Sequence, residues 1–160
     1  MSVVELYLSL RGVPFEVVPH GRAFTSLTEA AALGVPPEEV LKTLVVNAQG
    51  GHALAVIPGA CRVDMRLVRN AVGDPDARLA NEWDLAHDFS GYELGAMPPL
   101  GSLVGARTYV DPEVFLRETV VFADGSQTAS IRCRTEDLFR AEPIAVVPLT
   151  EVAREKELVG

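Results

Sequence analysis

The stretch Val40-Leu41-Lys42-Thr43-Leu44-Val45-Val46 opens the most apolar run in the first half of the chain. Read as a strand from Leu41 to Ala48, it alternates so that Lys42 shares a face with Leu44, Val46 and Ala48. An ammonium on such a face is paired, reaches water along its aliphatic stem, or lines a site. The chain has fourteen basic residues but only two lysines, and the other, Lys156, lies in the charged C-terminal segment. Local pattern by itself puts Lys42 at the strand mouth with its head in solvent.

Upstream, Pro36-Pro37-Glu38-Glu39 suits a first helical turn, with prolines and acidic side chains at its N-terminal end. Ser26-Leu27-Thr28-Glu29 reads as a capping box that starts a helix from Leu27 to Leu33, stopped by Gly34. Val3 to Leu10 reads as an amphipathic helix with Val3, Leu6, Tyr7 and Leu10 on one face and Gly12 as its stop. Phe15 to Val18 is an edge strand closed by Pro19-His20-Gly21.

Downstream, Gln49-Gly50-Gly51 joins the first strand to His52–Ile57 as a hairpin. Asp64 caps a helix through Val72, which Gly73-Asp74-Pro75 ends. Ala77 to Ala80 is a short strand, and Asn81 begins a helix that Gly91 terminates. Trp83 on that helix is expected to pack on the core rather than to bind a base.

Gly91-Tyr92-Glu93-Leu94-Gly95-Ala96-Met97-Pro98-Pro99-Leu100-Gly101 has three glycines and two adjacent prolines in eleven residues, which excludes a helix or a central strand. It is a shaped loop, able to present bare backbone N–H groups to a developing negative charge. A strand at Thr108–Val110 and a short helix from Asp111 to Arg117 follow. Next come a hairpin of Thr119–Ala123 with Gln127–Cys133, a helix from Thr135 to Arg140 capped by Thr135, and a strand at Ile144–Val147. The stretch from Glu151 to Glu157 is charged and helical in pattern. With no repeat and no linker, residues 1–160 read as a single domain of mixed α/β class, a curved mixed β-sheet flanked by short helices.

A net charge of −8 weighs against broad binding to a phosphate backbone, yet permits recognition of one exposed nucleic-acid end. The N-terminus lacks a basic n-region and no run approaches membrane-spanning length, so a cytoplasmic protein is expected. Cys61 and Cys133 are far apart, His20, His52 and His87 are scattered, and no zinc, phosphate-loop or nucleophile-elbow motif is present. No cofactor or metal is expected.

In this order, Lys42-Thr43-Leu44-Val45 followed by the Gly-x-x-x-Pro of Gly95 to Pro99 resembles the YbaK/prolyl-tRNA synthetase-associated editing domain family. The likeness runs from about Val13 to Val147. It implies a stand-alone trans-editing deacylase that hydrolyses a mischarged small amino acid, of the Cys- or Ala-tRNA(Pro) type, from the 3′ acceptor end of aminoacyl-tRNA. An aminoacyl-tRNA synthetase is a further implied partner. Carried over, Lys42 engages the terminal adenosine or its phosphate, and Gly95 with Ala96 brackets the ester carbonyl. The tRNA's own terminal hydroxyl, water or substrate groups then drive the reaction, which fits the absence of a nucleophilic triad.

An aminoacyl ester is already activated, so orientation, backbone oxyanion stabilisation and exclusion of bulky side chains suffice. The substrate-binding candidates are Thr25, Ser26, Thr43, Met97, Pro98, Pro99, Thr128, Ser130 and His20, with Thr128 and Ser130 on one strand face. Relatives carry a glycine-rich turn or a histidine in the last hairpin, where this chain has Ala123-Asp124-Gly125-Ser126-Gln127-Thr128. Arg62, Arg66 and Arg69 form either a solvated face or a small basic stripe for tRNA. The alternative function is a non-catalytic module that binds an aminoacyl-adenosine end or a synthetase.

Overall fold

The computed structural model describes residues 1–159. In chain order the elements are α1 (Val3–Leu10), β1 (Phe15–Pro19), α2 (Ser26–Leu33), β2 (Leu41–Ala48), β3 (Gly51–Pro58), α3 (Met65–Val72), β4 (Arg78–Leu79) and α4 (Glu82–Asp88). Then follow β5 (Arg107–Val110), β6 (Thr119–Ala123), β7 (Ala129–Arg134), α5 (Thr135–Ala141), β8 (Ala145–Val146) and α6 (Glu151–Val159). Short 3-10 turns at Pro37–Glu39, Gly101–Leu103 and Pro112–Leu116 connect them.

The mixed α/β class is as expected, but the strands divide between two sheets. One has three strands in the order β1-β7-β6, and the other five in the order β4-β2-β3-β5-β8. The β2–β3 hairpin pairs in full register from Leu41 opposite Pro58 to Ala48 opposite Gly51, while β5 joins β3 in parallel. A bridge between Val40 and Val121 ties the sheets together. They share one core: Leu41, Val56 and Val110 from the larger sheet meet Val120, Phe122 and Ile131 from the smaller, closed off by Leu8 of α1 and Leu138 of α5. Behind the larger sheet, Val46, Ala55 and Ile57 pack on Val68 of α3 and on Leu149.

Several local expectations shift. In α1 the buried pair is Val4 and Leu8, at i and i+4, whereas Val3, Leu6 and Leu10 are exposed. Thr25, not Ser26, caps α2; its hydroxyl accepts from the Thr28 N–H at 3.1 Å and Thr28 reciprocates, so the box lies one residue earlier. Glu29 is therefore not the residue that closes the box, and its side chain is buried. Thr135 does not cap α5: it is the first helical residue, and its hydroxyl donates to the Arg117 carbonyl.

Trp83 is 65% exposed and stacks on His87 with ring centroids 3.7 Å apart, so the expectation of a core tryptophan fails. Phe89 supplies the buried aromatic here. Of the two readings of the arginines, the continuous basic stripe is the one the structure does not support. Arg66 pairs with Asp64 and Glu151, and Arg69 donates to the Ala77 carbonyl, leaving Arg62 as the exposed member without a salt bridge among the described residues.

Candidate active site

The turn Pro37–Glu39 delivers Val40, fully buried against Val121, directly into β2. At the far end of β3 the Gly59 N–H returns to the Val40 carbonyl at 2.6 Å. Gly59 lies so close to the start of α2 that a Cβ would be 2.8 Å from Ser26 Cβ and 3.1 Å from the Pro37 and Val40 carbonyl oxygens. The mouth of β2, the exit of β3 and the N-terminus of α2 are thereby held together, and between them opens a cavity of about 400 Å3.

Lys42 lines this cavity. Its Nζ donates to the Cys61 carbonyl at 3.1 Å and, among the described residues, has no carboxylate partner. Burial is the main cause of its pKa lying below the ordinary lysine value, with Arg62 adding to the effect and Cys61 opposing it. One backbone acceptor leaves an ammonium with two further N–H donors for a ligand. Thr43, next along the strand, has a buried hydroxyl oxygen without a hydrogen-bond partner among the described residues.

The loop from Gly91 to Gly101 closes one side. Gly95 adopts φ of +75°, and the Phe24 carbonyl occupies the space a side chain would need. The loop is stitched to the turn between β6 and β7. The Glu93 N–H donates to the Gly125 carbonyl at 2.8 Å, and the Glu93 carboxylate accepts from the Gln127 N–H at 2.9 Å and from Arg22 at 3.1 Å. The Gln127 bond, then the Arg22 bond, holds the Glu93 carboxyl below its ordinary value.

Beyond Thr43, Leu44, Gly95 and Met97, which line both, a second and more apolar cleft of about 520 Å3 runs under α4 past Leu85, Phe89 and Tyr92.

The sequence candidates thus separate into groups. Lys42, Thr43, Thr25, Ser26, Gly95 and Met97 converge on the cavity. Ala96 is buried and its N–H is committed to the Glu93 carbonyl at 3.0 Å, so it is not a free donor to a carbonyl. Among the described residues the Gly95 and Met97 N–H groups have no such commitment. Pro98 and Pro99 are buried behind the loop and stiffen it.

Thr128 is exposed, precedes β7 and lines neither cavity, so it does not share a site face with Ser130. Ser130 is fully buried one layer behind the wall, bonded to Glu29, and His20 sits behind it with Nε2 2.8 Å from the Ser130 hydroxyl. Sequence reasoning missed Glu29, Gly59, Leu44 and Ala123 as lining residues. With Thr25 as cap and Thr28 closing the box, the Glu29 carboxyl is not used at the helix end and is left to line the cavity. No group of three or more His, Cys, Asp or Glu among the described residues is arranged to hold a metal ion.

Comparison with known proteins bears on this geometry. Residues 20–141 match the model of the aminoacyl-tRNA editing domain. The chain is 30% identical over 91 residues to the proline–tRNA ligase of Thermotoga neapolitana, a match spanning 57% of this chain but only 16% of that protein. It is 28% identical over 108 residues to EbsC of Enterococcus faecalis, described as a candidate Cys-tRNA(Pro)/Cys-tRNA(Cys) deacylase, covering 67% of this chain and 65% of that one. The crystal structure of a candidate trans-editing enzyme for prolyl tRNA synthetase superposes with a TM-score of 0.81 at 25% identity, over 94% of this chain and 99% of the other.

Proposed function

The chain belongs to the aminoacyl-tRNA editing domain family, and on that premise we propose that it is a trans-editing hydrolase cleaving the ester between a wrongly attached amino acid and its tRNA. The observation that carries the reading is the convergence of Lys42, an ammonium without a carboxylate partner among the described residues, and the Gly95 loop on one cavity of about 400 Å3.

Lys42 engages the phosphate or sugar of the terminal adenosine, where its spare donors match anionic and hydroxyl oxygens. The Gly95 N–H faces the ester carbonyl as a pre-positioned donor for the oxyanion that forms when water attacks. Ala96 and the two prolines hold that donor in place. The aminoacyl group lies against Ser26, Leu44 and Ala123, which line the cavity, and the substrate proposed for that position is a small residue such as cysteine or alanine. Lys42 acts by position and charge and forms no covalent intermediate.

Residues 1–160 act in this reading as one editing domain, in the cytoplasm where translation occurs. The proline–tRNA ligase relative supports a tRNA for proline as the carrier and a prolyl-tRNA synthetase as a further partner. Incubation of the purified protein with tRNA(Pro) mischarged with cysteine, alanine or serine tests the function. Ester loss well above the buffer rate is expected, and its disappearance in Lys42→Ala. A protein that binds these tRNAs but hydrolyses none is a binding module, and the deacylase reading then fails.

A further inference from the structure

Behind the cavity wall lies a chain of three polar groups that the mechanism above does not use. Glu29 lines the cavity, yet the residue is only 5% exposed. Its Oε2 accepts from the fully buried Ser130 hydroxyl, while Oε1 has no partner among the described residues. The same Ser130 oxygen lies 2.8 Å from His20 Nε2, and His20 Nδ1 lies 2.7 Å from the Gly21 carbonyl oxygen.

Counting protons restricts this chain. The Gly21 carbonyl can only accept, so Nδ1 carries a hydrogen. Ser130 has one hydroxyl hydrogen and two neighbours. If it donates to Glu29, His20 Nε2 must donate to Ser130, which makes an imidazolium and a carboxylate. If it donates to His20, Glu29 must donate to Ser130, which makes a neutral imidazole and a neutral carboxyl. Both arrangements hold the same number of protons, and one passes into the other by moving a hydrogen across each side of the Ser130 hydroxyl. With one proton fewer, one of the two links would set two acceptors against each other.

We propose that Glu29 is the catalytic acid of the cavity and that Ser130 and His20 are positioning residues that resupply its proton from the half-buried end of the chain at His20. The inference rests on the deacylase reading and adds a residue to it. Water attacks the ester carbonyl carbon and gives up a proton to solvent. The carbon–oxygen bond to the ribose then breaks, and the departing oxygen takes the proton from Glu29. His20, left as a neutral imidazole, then regains a proton from solvent and donates it through Nε2 to Ser130, whose own hydrogen turns to Glu29, so the cycle balances.

The surroundings suit the task. Burial raises the Glu29 carboxyl above its ordinary value, the Ser130 bond and His20 pull it down, and Asp124, the other acidic neighbour, pushes it up. Lys42 faces the same cavity from β2. A carboxylic acid held toward neutrality is a competent donor to an alkoxide leaving group.

Two measurements decide the matter. In protein carrying 13C glutamate and 15N histidine, the Glu29 carboxyl and His20 ring signals should move together through one pH transition and separate in Ser130→Ala. Independent titration in the wild-type protein overturns the relay. In single-turnover deacylation, Glu29→Gln should slow the chemical step roughly 10²-fold or more with little change in tRNA affinity. Ser130→Ala should alter the pH profile, and Ser130→Thr, which keeps a hydroxyl, should restore it. An equally fast Glu29→Gln overturns the role of Glu29 while sparing the deacylase reading. A wild-type protein that cleaves no aminoacyl ester overturns both, whatever the NMR titration gives.

Discussion

The Phe24 carbonyl oxygen lies in the space that a side chain on Gly95 would fill: a Cβ there would come within 2.1 Å of it. The backbone of the segment leading into α2 and that of the Gly95 loop are in direct apposition, and the cavity wall depends on their closeness. Gly95 also holds φ of +75°. Gly95→Ala is therefore expected to cost about 1–3 kcal/mol of stability and to displace the loop. Deacylation should fall further than the folded fraction does. Comparing turnover per folded molecule with urea unfolding checks this, and a variant with wild-type values of both refutes the loop's role.

Lys42 carries charge that the fold itself scarcely uses. Lys42→Ala should abolish ester hydrolysis with little loss of thermal stability, and Lys42→Arg should restore only part, because a planar guanidinium does not reproduce a compact ammonium. Burial lowers its pKa from the ordinary 10.5. Affinity for tRNA should accordingly weaken on the alkaline side at a pH below that at which an ordinary lysine discharges. Binding that stays flat up to the ordinary lysine range argues against a charge contact.

Substrate size should be read by Ala123, whose methyl lines the cavity from β6. Ala123→Val is expected to shift discrimination between the smallest and next larger aminoacyl esters by roughly 10–200-fold, the usual yield of a hydrocarbon step in a tight pocket. The ratio of kcat/KM for alanyl and larger esters measures it. Equal slowing of all esters would mean that Ala123 supports the wall without sorting substrates.

The buried carboxyl of Glu29 sets a pH dependence of stability whose sign follows from its raised pKa. Where a folded carboxyl holds its proton more tightly than the unfolded one, the folded state gains on the acid side. That gain is lost as pH rises from the unfolded value of 4.5 through the higher folded one. Glu29→Gln removes the cost of ionisation, so its melting temperature relative to wild type should improve from pH 4 to pH 7.5. A constant difference across that range contradicts the assignment.

Trp83→Ala should change stability by no more than about 0.5 kcal/mol, since the ring is 65% exposed and stacks on His87 at the surface. The tryptophan shows where sequence reading loses its grip. Helical periodicity located α4, but burial depends on which neighbour covers each face, and Phe89 filled the space assigned to Trp83. Strand alternation and turn glycines placed the β2–β3 hairpin and α3 within a residue, because those signals are local. The division into two sheets was not legible, as pairing between distant strands leaves no mark in either one.

For the candidate cavity, motif and spacing point to Lys42 and Gly95, which line it, whereas Ser130 and His20, expected as contact residues, lie behind Glu29. The sequence box assigns the Glu29 carboxyl to capping α2, whereas Thr28 fills that role and Glu29 lines the cavity.

The cavity straddles a seam. Lys42 and Thr43 come from one sheet and Ala123 from the other, and the backbone bridge joining the sheets is the pair Val40 and Val121. Slight slippage there would change the width of the site while both strand ladders stay intact. Warming should then silence the protein before it melts, with hydrolysis fading at temperatures where ellipticity is still native. Superimposable curves for the two would mean that the sheets part only when everything does. On the deacylase reading, the rate of hydrolysis would report how well the two sheets stay aligned across their shared core.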